Sequence, residues 1–157
     1  MPVSDAAVPY AIGVQCLFAA LGCIGFCILF NIHGPGVALC AIGGGLSWLV
    51  YRAAGELGCT DIVCYFWAAL FASVYSEIMA RVRKYPAISY LVVSIFPLIP
   101  GAGVYYTMNY AVLGQMEAFA HQGMYTAAIA GIMAVGILLG STVFRIYSDW
   151  KLKKLFE

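Results

Sequence analysis

Apolar residues fall in five long runs, each closed by a short cluster of polar, glycine or proline positions. The runs cover about 9–31, 35–53, 62–80, 87–115 and 122–146. A helix needs roughly 20 predominantly apolar residues to cross about 30 Å of hydrocarbon, so each run is long enough for a span. The pattern predicts an all-α fold, a polytopic membrane helix bundle of about five spans. Turn chemistry separates the runs. "NIHGPG", from Asn31 to Gly36, reads as a tight turn, and "GELGCTD" links the second run to the third. Residues 147–157 form a basic tail. No stretch is long enough to serve as an interdomain linker, and no low-complexity segment or internal repeat is visible, so 1–157 is expected to be one membrane domain.

The fourth run departs from a plain span. As a straight helix, 87–115 would rise about 43 Å at 1.5 Å per residue, more than the hydrocarbon core requires. It also carries Pro97, Pro100, Gly101 and Gly103 within "SIFPLIPGAGVYYTMNY". Each proline lacks an N–H and displaces the carbonyl four residues back, at Val93 and Phe96. The two glycines can take backbone angles closed to other residues. The expected outcome is a span broken at its Pro-x-x-Pro-Gly motif into two half-helices of about 12 residues, joined near the bilayer midplane.

Such a break has two readings, a proline kink that shapes packing or a binding site. In the second, the half-helix starting near Ala102 presents unpaired N–H groups and the positive end of its dipole to a carboxylate. The freed carbonyls before it would hold a cation or a substrate ammonium. The candidate substrate-binding set is Pro97, Pro100, Gly101, Ala102, Gly103, Val104, Tyr105, Tyr106, Thr107 and Asn109. Thr107 and Asn109 add hydrogen-bonding side chains, although Thr hydroxyls often bond their own helix and Tyr often anchors at the interface. The backbone of 100–104 is the principal candidate. Gly43, Gly44 and Gly45 in the second run, and Gly136 and Gly140 in the fifth, read as helix-packing positions, the triplet leaving a groove for the broken segment.

Composition supports the membrane reading. The chain is 64% hydrophobic and 10% charged, with mean hydropathy +0.93, against about 25% charged residues in soluble domains. A net charge of +1 leaves no basic stripe for nucleic acid. No Lys or Arg precedes the first run, which is therefore expected to be a retained span and not a cleaved signal peptide. The six cysteines include no Cys-x-x-Cys pair, and only His33 and His121 could join them. Packing, without metal or cofactor, is the expected role of the thiols. No paired acids, His-Glu cluster or nucleophile beside a base suggests an enzyme. Asp61, Glu77 and Glu117 lie at span ends, so no carboxylate is expected at mid-membrane and the chain offers no evident proton carrier.

Charge bias orients the bundle. With five spans, the link after the third and the C-terminal tail share one side. They hold Arg81, Arg83, Lys84, Arg145, Lys151, Lys153 and Lys154, seven of the eight basic residues; Arg52 lies opposite. Basic residues favour the cytoplasm, which places the N-terminus outside and the C-terminus inside. It also favours a fourth segment that crosses.

Two stretches, "CIGFCILFNIHGPGVALCAIGGGLSWLVY" and "YSEIMARVRKYPAISYLVVSIFPLIPGAGVYYTM", resemble the smaller half of the threonine/serine exporter family. The shared features are Phe30-Asn31 at a span end, the Gly43–Gly45 triplet, and the basic link from Arg81 to Ala87. They continue through Pro97, Pro100, Gly101, Tyr105 (or Tyr106 in the alternative register) and Met108. The resemblance covers roughly 20–115. It implies a bacterial inner-membrane secondary exporter of small amino acids such as threonine and serine, or of dicarboxylates such as succinate. In the two-component type, the implied partner is a larger five-span subunit with a cytoplasmic N-terminal region. The substrate site would then lie between two broken segments. A non-transporting structural or assembly subunit is the alternative. If the orientation holds, a membrane-impermeant thiol reagent added outside intact cells labels Asp5→Cys but not Lys153→Cys; the reverse pattern inverts the topology.

Overall fold

A computed structural model describes residues 11–156, with side chains to Tyr147. The expected start of the first span at 9–10, and the side chains of Lys151, Lys153 and Lys154, lie outside the described residues. The described chain is helical, without strands. It comprises α1 (Ile12–Leu29), α2 (Pro35–Glu56), α3 (Asp61–Arg83), α4 (Ala87–Ile95), a 3-10 turn (Phe96–Leu98), α5 (Gly101–Val112) and α6 (Met116–Phe156). Four helices are long and apolar enough to cross a membrane. The segment from Ala87 to Leu98 and α5, bent by 58°, make a fifth span if counted together. The expected fold class, with its broken fourth segment, is the one observed.

Local chemistry sets the turns. Between α1 and α2, Asn31 and Gly34 take φ of +56° and +68°, and Pro35 opens α2 where a missing N–H matters least. α3 ends as Lys84 turns left-handed at φ +52°, and Pro86 follows, which cannot continue the helix. α5 ends at Val112, and Gly114 turns the chain at φ +71°. α6 then starts at Met116, six residues ahead of the expected 122, because "MEAFAHQ" mixes polar and apolar residues but contains good helix formers. Nor does it stop at 146. No Gly or Pro occurs after Gly140, so the tail continues the helix to Phe156. At 41 residues, α6 is about 60 Å long, roughly twice the hydrocarbon thickness.

Two ends of the bundle can be distinguished. One carries the α2–α3 and α5–α6 turns. The other carries the α1–α2 and α3–α4 turns, with Arg81, Arg83, Lys84 and Arg145. Among these, the Arg81 guanidinium lies 4.6 Å over the Phe144 ring, a cation–π contact joining α3 to α6.

Small residues let the helices close. A Cβ on Gly44 would fall on Cys23 Sγ of α1, and one on Gly43 would fall on Ser94 Oγ of α4. Gly45 faces the Cys16 carbonyl, at 3.2 Å from a built Cβ. A Cβ on Gly136 would stand 2.9 Å from the Phe66 carbonyl, and one on Gly140 2.8 Å from Ser73 Cβ. The Ser73 hydroxyl donates to the Ile137 carbonyl at 2.9 Å, tying the same α3–α6 seam. Close approach of backbones is what holds helices together where lipid supplies no hydrophobic drive. Cys23, Cys27 and Cys40 are free thiols, fully buried with Tyr90 and Val93 in the core between α1, α2 and α4. Overpacking a tight seam typically costs about 1–3 kcal/mol. Gly44→Ala should therefore lower the thermal midpoint of the detergent-solubilised protein. Gly44→Ala combined with Cys23→Ala should lose less than the two single changes summed, and a strictly additive pair would refute the contact.

Candidate functional site: the broken fourth segment

The prolines act where their chemistry requires. Pro97 cannot donate to the Val93 carbonyl, so α4 stops and a 3-10 turn begins. The Val93 carbonyl instead accepts from the Phe96 N–H and, at 3.2 Å, from the Cys23 thiol of α1. The Phe96 carbonyl, freed by Pro100, accepts from the Ile99 N–H at 3.2 Å. Both carbonyls expected to hold a cation or an ammonium are thus engaged by the protein's own donors. The reason is energetic: in a dry core an unmet carbonyl is more costly than a tightened turn.

Reversal of direction falls to Pro100. Its φ of −74° and ψ of 56° make an inverse γ-turn, closed by the Gly101 N–H on the Ile99 carbonyl at 2.7 Å. Neither Gly101 nor Gly103 takes a positive φ, contrary to the expected use of glycine freedom. The proline-centred turn makes that freedom unnecessary. Instead the glycines differ in surroundings. Nothing lies within 4 Å of a Cβ built on Gly101, whereas one on Gly103 would stand 2.6 Å from Thr126 Oγ1 of α6. Gly103 is a packing position and Gly101 is open.

α5 begins with its first regular bond, from the Val104 N–H to the Pro100 carbonyl at 3.1 Å. The Ala102 and Gly103 N–H groups have no acceptor among the described residues, as a helix start without a cap requires. Ala102 is exposed and Gly103 is half-buried against α6, so this helix start lies at the flank of the bundle.

Other candidates scatter around that point. Thr107 donates to the Gly103 carbonyl at 2.7 Å, which commits its hydroxyl to its own helix. Asn109, Val104, Tyr105 and Tyr106 are exposed; Tyr105, at 66%, and Met108, at 65%, face away from the bundle. No residue of α5 is fully buried, and the helix packs mainly on α6. On the other side of the break Pro97 lies 3.5 Å from the Cβ position of Gly44. Ser94 Oγ is buried without a partner among the described residues.

A second polar group was missed by sequence reasoning. At the end bearing the α2–α3 turn, Asp61 accepts hydrogen bonds from the Tyr51 hydroxyl of α2, at 2.5 Å, and from the Tyr125 hydroxyl of α6. The Tyr65 ring lies tilted against Tyr51, ring centroids 4.7 Å apart, and the Trp48 indole N–H donates to Gln15 at 3.2 Å. Its only sequence signal was an acid followed four residues later by tyrosine at a helix start, a weak pattern without knowledge of which helices adjoin.

The sequence pattern of the family described as Threonine/Serine exporter, ThrE matches residues 15–143, from α1 well into α6. No curated protein and no solved structure matches.

The two glycines of the break separate by stability. Gly103→Leu should destabilise by about 1–3 kcal/mol, because its side chain meets Thr126, while Gly101→Leu stays within about 0.5 kcal/mol as an open position does. Equal shifts of the thermal midpoint would contradict the assigned surroundings.

Proposed function

The chain belongs to the threonine/serine exporter family, and from that premise we propose that it is the small subunit of a two-component secondary exporter. In this reading it works beside a larger five-span subunit with a cytoplasmic N-terminal region, in a bacterial inner membrane. The basic end faces the cytoplasm, as the charge bias favours. Threonine or serine is the preferred cargo. Succinate-like dicarboxylates rank second, because the described residues around the break include no cation to clamp a second carboxylate.

The observation that carries this reading is the uncapped helix start at Ala102 and Gly103. Two backbone donors and a positive dipole end lie midway along the broken span, where Ala102 is exposed. Lipid cannot satisfy them. A substrate carboxylate enclosed by a second subunit can. Gly101 leaves the approach unobstructed, and the exposed Tyr105 and Tyr106 stand at its rim. Pro97 and Pro100 shape the site without touching cargo.

The test is threonine efflux from cells co-expressing both subunits. Gly101→Leu, which fills the approach, should reduce efflux at least about tenfold, the loss of a contact worth roughly 1.4 kcal/mol or more. The tagged complex should still co-purify. Loss of assembly with loss of efflux would favour the structural-subunit reading, and wild-type cells that move none of threonine, serine or succinate would refute transport.

A further inference from the structure

The one carboxylate that the fold draws between helices, among the described residues, is Asp61. Acidic groups inside a membrane bundle are functional candidates by default, and the broken segment has no use for this one. Asp61 opens α3 and is half-buried. Each of its oxygens accepts one phenol, Tyr51 from α2 and Tyr125 from α6. The other titratable groups facing it are Cys64 and Tyr65 on α3, with Cys59 of the preceding turn beside Cys64. No cation pairs with it among the described residues; Arg52, beside Tyr51 in sequence, reaches Glu56 at 3.8 Å. The negative charge is held by two hydroxyl donors and the start of α3 alone.

We propose that Asp61 is a proton-binding site that works a gate at this end of the bundle: ionised, it latches α2 and α6 to α3, and protonated, it releases them. This rests on the exporter reading above, in which this end faces outward.

The chemistry follows from the donor inventory. A carboxylate only accepts, so two phenols donating to it are matched. Protonation adds an O–H donor and makes the hydroxyl oxygen a weak acceptor, so the phenol on that oxygen turns to accept or is held only weakly. The remaining bonds lose their charge assistance, which roughly halves their strength. Three helices are therefore tied firmly in one protonation state and loosely in the other.

The latch also reaches the break. Tyr125 is followed by Thr126, the residue against which Gly103 packs. One turn of α6 thus holds both Asp61 and the start of α5, where the unpaired N–H groups lie. Releasing that turn frees the outward flank of the candidate site.

The experiment uses the two-subunit complex in liposomes, with labelled threonine exchange followed while external pH varies and internal pH is fixed. Wild-type exchange should quicken as the external side is acidified. Asp61→Asn keeps both bonding positions, since its amide can accept from one phenol and donate to the other, but carries no charge. It should exchange at the fast rate at every external pH, about tenfold above wild type on the alkaline side, as expected for roughly 1.4 kcal/mol lost from the latch. Tyr51→Phe combined with Tyr125→Phe keeps the carboxylate and removes both donors, and should be fast as well. A passive clasp behaves otherwise: its loss slows exchange or disrupts assembly. The gate is overturned if assembled variants are slower than wild type or keep its pH response, or if neither variant assembles. Absence of exchange by the wild-type complex overturns the exporter reading instead.

Discussion

Lipid offers no partner to a peptide carbonyl, so each carbonyl freed by the Pro-x-x-Pro-Gly motif must be met from within the protein. One bond shows how the fold meets that demand. Pro97 withdraws a donor from the Val93 carbonyl, and the Cys23 thiol of α1 supplies one at 3.2 Å. The thiol reaches that point because position 44 of α2 is glycine, whose missing Cβ is the space the sulfur occupies. Position 43 is glycine for a related reason, with Ser94 filling the place of its side chain. A break in the fourth segment thus dictates small residues in the second and a thiol in the first. The buried core of Cys23, Cys27, Cys40, Tyr90 and Val93 forms around that junction.

The remainder of the chain is arranged about α6. Gly136 and Gly140 bring it against α3, and Gly103 brings α5 against it. α5 has little other support and no buried residue of its own. The half-helix bearing the candidate donors is therefore positioned by its sequel, while α4 is positioned by the helices that precede it. The two halves of one segment belong to different neighbourhoods, joined through Ile99 and the γ-turn at Pro100.

Much of this was legible in the residues, and the limits are physical. Helix number and the break follow from run length, proline and glycine, which act locally. The fate of the freed carbonyls does not, because Cys23 lies 70 residues from Val93 in sequence and a cysteine in an apolar run reads as a small hydrophobe. Gly101 and Gly103 looked equivalent in sequence; their difference is made by Thr126, on another helix. Asp61 read only as a span end, since nothing near it in sequence shows that Tyr51 and Tyr125 converge on it. The extent of α6 was misjudged for a simpler reason. Hydropathy marks where apolar residues cease, whereas a helix ends only where the backbone is stopped.

The division of the fourth segment also bears on the order in which the protein can be made. Neither α4, with nine residues, nor α5, with twelve, is long enough to enter a membrane alone. The two must be inserted together, and the bend acquires its supports in sequence. Cys23, Gly43 and Gly44 have already left the ribosome when Pro97 appears, so a receiving surface for α4 and a donor for the Val93 carbonyl are waiting. Thr126 emerges later, and α5 gains its packing partner only when α6 follows. Chain order thus doubles as an assembly schedule, in which the half bearing the exposed donors is the last to be secured.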